Sequence, residues 1–402
     1  MKLRIEKGTA FGKIKAPASK SMAHRLLICA AMASGKSKIC GISNCEDVLA
    51  TIDCLKALGV KTETSGSDII VYGKDFTNLT PKAPLKCRES GSTLRFLIPP
   101  VMLSKSTSVF YGAESLMKRP MNVYNNLFSE KGLTFIEDGK SIVVRGALEG
   151  GEYSLVGNVS SQFISGLIFA LPLAKKDSYI KITPPIESRS YINLTVSAVK
   201  EFGIKCEWVD EYTLKIPANQ SYMPREVTVE GDYSGSAFPD ALKLFGADVE
   251  VLGLNPESIQ GDSIYKKYYA MLSQGVPTIH IGDCPDLGPI LFAVAAAKCG
   301  GVFSGTKRLK IKESDRASAM AEELKKFGAA VSVYEDSVVI YPKEFHAPSG
   351  VLFGHNDHRI VMALSILLTL VGGEIDGAEA VSKSYPGFFD DLRTLGIEVA
   401  EV

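Results

Sequence analysis

The partial positive charge at a helix N-terminus favours anions, by roughly 0.3–1 kcal/mol per site. This chain puts cations at such positions instead. Lys20 and Arg25 follow Ser19 at the head of an apolar stretch, and Arg95 follows Ser90 in the same way. Arg119 precedes Pro120, which reads as the first residue of a helix. Lys312 and Arg316 flank a helix start at Glu313, and Arg359 follows Asn356-Asp-His358. If the helix already includes Lys312, then Lys312 and Arg316 are like charges four apart, which costs about 0.2–0.5 kcal/mol. A bound anion, held by backbone N–H groups and these cations, resolves the conflict. Glu313, Asp315 and Asp357 offer a plainer account, local ion pairing on a solvated face. Recurrence in several places favours the ligand, with phosphate or carboxylate as its chemistry.

The elements that must position these cations repeat. A short polar turn rich in Ser, Asp or Asn precedes about a dozen apolar and small residues at Ser19, Ser90, Ser160, Tyr233, Pro285 and Asn356. The separations are 71, 70, 73, 52 and 71 residues. Ser, Asp and Asn are preferred N-caps, and bodies with so little charge read as buried helices. In most repeats an amphipathic stretch then ends in Gly and leads into an alternating strand. Glu46, Ser190, Glu313 and Phe388 begin such stretches; in the short fourth repeat the clearest counterpart is Ser263-Ile-Tyr-Lys-Lys-Tyr-Tyr-Ala-Met-Leu-Ser-Gln-Gly275. Solenoid repeats run roughly 20–50 residues, so a period near 70 points to six β/α modules in globular halves. Pro217 to Pro224 lacks periodicity and reads as a hinge between three modules and three.

Composition narrows the function classes. With 402 residues the chain exceeds one ordinary core, so two domains are expected. Lys plus Arg equals Asp plus Glu at 45 each, so no global field steers the chain to nucleic acid or an anionic membrane. The eight cysteines show no C-x-x-C spacing and no metal-type His pairing, and they read as packed thiols in a reducing compartment. Met1 to Glu6 alternates like a strand, unlike a signal or transit peptide, and no apolar run spans a bilayer. The expectation is a cytoplasmic protein needing no metal or organic cofactor.

An ordered set of segments resembles the EPSP synthase family of enolpyruvyl transferases. Pro17-Ala-Ser-Lys-Ser21 with Arg25, Glu89-Ser-Gly-Ser-Thr-Leu-Arg95, Arg119-Pro-Met121 and Ser160-Ser-Gln-Phe163 carry it in the first half. Lys312-Glu-Ser-Asp-Arg316, Asn356-Asp-His-Arg359 and Lys383-Ser-Tyr-Pro386 carry it in the second. The resemblance implies a two-domain inside-out α/β barrel, each domain built of three βαβαββ units with pseudo-threefold symmetry. It places the active site between the domains and the first strand with the C-terminal half. The expected domains are 1–14 plus 222–402, and 15–221, with crossings near 13–16 and 218–226.

The implied reaction moves the enolpyruvyl group of phosphoenolpyruvate to the 5-hydroxyl of shikimate 3-phosphate, on the route to chorismate and the aromatic amino acids. By resemblance Asp286 is the general base, Glu313 transfers a proton at C3, and Lys20 touches both substrates. Shikimate 3-phosphate is assigned Lys20, Ser21, Arg25, Ser160, Ser161, Gln162, Ser188, Tyr191, Asp286 and Lys312. Phosphoenolpyruvate is assigned Lys20, Gly91, Arg119, Gln162, Arg316, Arg359 and Lys383. By residue type alone, Asp286, Ser160 and Ser161 are ordinary helix caps, Ser188 to Tyr191 a turn, and Lys383 a surface lysine. Glu89, Arg308 and His24 depart from the usual family residues, and Arg308 is given no role. The resemblance brings no nucleic-acid or membrane partner, and a monomer is expected. The nearest alternative, UDP-N-acetylglucosamine enolpyruvyl transferase, typically has a reactive Cys just before the Arg-Pro element; Met117-Lys-Arg-Pro-Met121 has none. A non-catalytic anion-binding repeat protein is the alternative of a different class.

Overall fold

The computed structural model describes residues 1–341 and 343–402. Contacts divide the chain into two units, Ala18–Glu230 and Met1–Pro17 with Gly231–Val402. Each has its own apolar core.

In the unit Ala18–Glu230 the core helices are Lys20–Met32, Gly91–Val101 and Ser161–Ala170. Their bodies are buried nearly all round, as at Ala23 to Met32, which accounts for their lack of solvated charge. Ser19, Ser90 and Ser160 are the N-caps, each accepting from a backbone N–H in the first turn. Amphipathic helices Glu46–Ala57, Asn122–Glu130 and Arg189–Glu201 follow in turn. The last ends at Gly203, whose φ of +84° is the left-handed C′ position that favours glycine.

Each repeat adds a four-stranded sheet of the same order. In the second, Leu85–Lys86 lies parallel to Ser108–Tyr111, followed by antiparallel Ser141–Arg145 and Thr134–Glu137. In the third, Glu152–Val156, Ser178–Thr183, Thr213–Ile216 and Glu207–Trp208 repeat it. The chain enters the first repeat without a leading strand, and Glu226–Thr228 returns to supply one, parallel to Lys36–Cys40. This late strand moves the boundary from the expected 221/222 to 230/231. The stretch expected to be a hinge is tied down: Asn219 N donates to Ala174 O, and buried Tyr222 donates its hydroxyl to Phe169 O. At the other crossing Ala16 N donates to Leu252 O and Asp232 N to Pro17 O, which keeps residues 15–17 with the second unit.

That unit has core helices Tyr233–Asp240, Gly288–Ala297 and His358–Val371. Thr278–His280, Gly301–Ser304, Ser337–Tyr341 and Ala330–Val333 form one four-stranded sheet. In another, N-terminal Lys2–Ile5 lies between Gly373–Asp376 and Val399–Glu401, with Leu352–Phe353 outside. Phe11–Lys15 pairs with Asp248–Leu252 as a two-stranded sheet. Among the described residues this fourth repeat lacks the antiparallel arm, which explains its 52-residue spacing. Apart from it, the repeats read βαβαββ. Among the described residues no helix is long and apolar enough to cross a membrane, and all eight cysteines are thiols.

Candidate functional site

In Ala18–Glu230 the sequence-predicted residues cluster around the three core-helix N-termini. Lys20, the first residue of its helix, donates to Asp47 Oδ2 at 2.8 Å. Asp47 stands in the first turn of Glu46–Ala57, where a carboxylate suits the dipole. Arg25 is buried one turn further in. It donates to Thr195 Oγ1 at 2.8 Å, to Ser21 O at 2.6 Å and to Tyr191 O at 2.9 Å. Its guanidinium lies 5.0 Å from the Phe96 ring centroid. Burial pulls its pKa down to about 10. Arg25 thus fastens the backbones of Ser21 and Tyr191, two of the expected ligands.

Gly91 opens the second core helix where a side chain has little room. A Cβ there would lie 3.1 Å from Arg119 Nη1, 3.4 Å from Arg95 Nη1 and 3.6 Å from Gln162 Oε1. Gln162 accepts from Arg95 Nη1 at 2.9 Å and donates to Ser92 Oγ at 2.9 Å. Ser160 caps the third core helix, and Ser161 is its buried first residue. Buried Ser188 has φ +57° and precedes the helix whose first turn holds Tyr191. Lys20 is linked to the head of the second core helix through Asp47, Thr93 and Ser90: Thr93 Oγ1 contacts Asp47 O at 3.3 Å and Ser90 Oγ at 2.8 Å. Pro120 is not the first helical residue; the helix begins at Asn122, two residues later.

The second unit brings its predicted residues onto one carboxylate. Lys312 Nζ and Arg316 Nη1 reach Asp286 Oδ1 at 3.1 and 2.8 Å, and Arg359 Nη2 reaches Oδ2 at 3.0 Å. Arg316 also donates to Glu313 Oε2 at 2.7 Å and from Nε to Asp357 Oδ2 at 2.8 Å. Lys383 Nζ donates to Asn356 O at 2.6 Å.

These contacts correct the plainer readings. Asp286 does not cap the core helix; it sits in the short turn Pro285–Leu287 ahead of Gly288–Ala297 and spends both oxygens on cations. Lys383 is buried, not a surface lysine. The helix begins at Arg316 under an Asp315 cap, so Lys312 lies outside it, and Asp286 separates the like charges by accepting from both.

Electrostatics follow from the packing. Burial alone would raise the Asp286 pKa, but Arg359, Lys312 and Arg316 outweigh it and hold the carboxyl well below its ordinary range. Burial lowers Lys312 in spite of Asp286. Arg316 is raised: Asp357, Glu313 and Asp286 overcome its desolvation.

Sequence reasoning missed Asp47 as the partner of Lys20 and gave Arg95 no ligand role, although it stands against Gly91 and Gln162. Asp357 passed as a cap and pairing acid; it also anchors Arg316. Of the departures, Arg308 is buried and donates to Gly282 O at 3.3 Å, while Glu89 is half-buried two residues before Gly91. His24 is fully buried, its Nδ1 2.8 Å from Thr51 Oγ1, and burial with nearby Lys20 and Arg25 holds its pKa well below 6.5.

A 3-phosphoshikimate 1-carboxyvinyltransferase of Clostridium kluyveri is 38% identical over 97% of this chain and 96% of its own. One from Clostridium perfringens (strain ATCC 13124) is 38% identical over 96% of each chain. The solved 2.37 Å structure of EPSP synthase from Acinetobacter baumannii superposes with a TM-score of 0.78 at 25% identity, covering 100% of both chains. The family profile described as EPSP synthase (3-phosphoshikimate 1-carboxyvinyltransferase) matches residues 6–392, and on that match and these relatives the chain belongs to the EPSP synthase family.

Proposed function

We propose that this protein transfers the 1-carboxyvinyl group of phosphoenolpyruvate to the 5-hydroxyl of shikimate 3-phosphate, releasing phosphate. The observation that carries the reading is the convergence of Lys312, Arg316 and Arg359 on Asp286. Such a cluster fits a polyanionic pair of substrates and a hydroxyl that must lose a proton. The 5-oxygen adds to C2 while C3 gains a proton, giving a tetrahedral intermediate. Loss of phosphate from C2 and of a proton from C3 then restores the double bond.

Asp286 serves as the base at the hydroxyl, and Glu313, 2.7 Å from Arg316, serves at C3. An Asp held well below its ordinary pKa is a weak base. Substrate phosphate and carboxylate groups recruit the same cations, so binding relieves the clamp on Asp286 and raises its basicity when it is needed. Lys20 assists proton transfer or phosphate departure. Lys20, Ser21, Arg25, Ser160, Ser161, Gln162, Ser188, Tyr191, Asp286 and Lys312 hold shikimate 3-phosphate. Lys20, Gly91, Arg119, Gln162, Arg316, Arg359 and Lys383 hold phosphoenolpyruvate. The scheme uses side-chain acids, bases and cations, in a monomer working in the cytoplasm.

The test is phosphate release from phosphoenolpyruvate with shikimate 3-phosphate, beside UDP-N-acetylglucosamine and a no-acceptor control. Release with shikimate 3-phosphate alone, lost in Asp286→Ala and Lys20→Met, is expected. Release with the sugar nucleotide, or binding of both substrates without turnover, overturns the reading.

A further inference from the structure

Glu323 is a charged group that the proposed chemistry does not use, yet it is 0% exposed. It lies seven residues along the helix that Arg316 opens. Its Oε1 accepts from Lys326 Nζ at 3.1 Å and stands 3.1 Å from His355 Nε2. Its Oε2 accepts from Lys326 Nζ at 2.9 Å and from Phe353 N at 3.0 Å. Lys326 also donates to Val351 O at 3.0 Å. A buried carboxylate is stable only when so satisfied. Here most of its partners come from the segment 351–355. With Glu322 the group resembles a metal site, but the Lys326 ammonium already bonds both Glu323 oxygens.

The segment held there runs directly into the cation cluster. His355 and Asn356 have φ of +49° and +51°, a left-handed conformation uncommon outside glycine that His and Asn adopt more readily than most residues, so contacts on either side fix which turn the chain takes here. On one side the contact is His355 to Glu323, with the His355 ring edge-on to Phe353 at 5.0 Å. On the other, Asn356 O accepts from Lys383, and Asp357 accepts from Ser314 Oγ and Arg316. Asp357 then caps the helix that carries Arg359. The left-handed pair thus lies between a buried anchor and the groups that set Lys383, Arg316 and Arg359.

We propose that Glu323 and His355 are positioning residues: they hold the 355–359 turn so that Lys383 and Arg359 present their charges to phosphoenolpyruvate. The inference rests on the reading that these cations bind that substrate. Neither residue touches the candidate ligands; both act through the turn.

The test compares wild type, His355→Ala, His355→Gln and Glu323→Gln in the full chain. The readouts are kcat, KM for each substrate and melting temperature. His355 is partly exposed, so its variants remain folded if Glu323→Gln does not. His355→Ala is expected to raise KM for phosphoenolpyruvate about tenfold and leave that for shikimate 3-phosphate within about twofold. Its melting temperature should stay within a few degrees. His355→Gln, whose amide N–H can again donate to Glu323, should recover most of the loss. Glu323→Gln should move the same KM in the same direction. An active wild type with an unchanged phosphoenolpyruvate KM in His355→Ala overturns this inference alone. So does an equal rise in both KM values, which marks a merely structural role. A wild type that does not bind phosphoenolpyruvate removes the reading beneath it and the inference too.

Discussion

Substitution of Gly91 by Ala separates binding from folding with opposite signs. The new Cβ would lie 3.1 Å from Arg119 Nη1 and 3.4 Å from Arg95 Nη1. Both atoms are the far ends of flexible side chains, so each yields by a few tenths of an ångström without moving the backbone. Gly91 is the first residue of a helix, where Ala gains up to about 1 kcal/mol over Gly. For a unit of this size 1 kcal/mol is worth roughly 2–4 °C. The melting temperature should therefore hold or rise slightly.

Affinity should move the other way. A hydrogen bond to a charged group contributes about 1.5–3 kcal/mol. If the methyl group displaces Arg119 enough to forfeit about half of one such bond to phosphoenolpyruvate, roughly 1 kcal/mol is lost, about a fivefold rise in KM. The KM for shikimate 3-phosphate should stay within about twofold. Steady-state kinetics with each substrate varied in turn, beside a thermal melt, measure both. A phosphoenolpyruvate KM within twofold of wild type refutes the placing of Arg119 at that substrate. A fall of more than about 5 °C refutes the argument that the space is soft.

Two other perturbations test the electrostatics. Asp286→Asn should lower kcat by roughly 10²–10⁴, the usual worth of a general base, and, because Asp286 is only partly buried, removing the anion shared by Lys312, Arg316 and Arg359 should cost about 1.5–3 kcal/mol of stability near pH 7. Because the folded Asp286 pKa is depressed, its stabilisation is full above the unfolded carboxyl pKa, roughly 3.9, and is lost as pH falls through the folded value. In urea melts the gap between the two proteins should thus hold from pH 7 to about 4 and narrow only below that, by up to about 1.4 kcal/mol per pH unit; a gap that already closes above about pH 5 counts against a depressed Asp286. His24, also depressed, is neutral in the fold but charges in the unfolded chain below about pH 6.5. Wild type should lose up to about 1.4 kcal/mol per pH unit between pH 6.5 and 5 relative to His24→Asn, and parallel profiles would show that His24 is protonated in place.

The six core helices were legible because each body is too apolar to face water and five of the six open on a Ser or Asp cap, Gly288–Ala297 being the exception with Leu287 there. The cations were legible for the same reason, since charge at a helix head breaks a local rule. What stayed hidden is tertiary. Nothing near residue 226 marks it as partner to Ile39, or near residue 3 as partner to Ile375, because strand pairing leaves no trace in either segment alone. The boundary expected after residue 221 therefore falls after 230, while the one expected after 14 falls after 17 because Ala16 N bonds Leu252 O and Asp232 N bonds Pro17 O. The helix at Arg316 was started too soon because Glu313 resembles a first-turn acid; its carboxylate instead pairs with Arg316, and Asp315 takes the cap.

Asp286 shows why composition alone assigns such a site poorly. Pro before it and an apolar helix after it make it look like a cap, and no neighbour in sequence says otherwise. Its partners stand 26, 30 and 73 residues away. Charge located by a broken local rule must be balanced somewhere, and in a buried cluster the balance is an acid of remote position. Mutual compensation of this kind keeps Lys312, Arg316 and Arg359 from repelling one another, and it ties the basicity of Asp286 to whichever anion next occupies those cations.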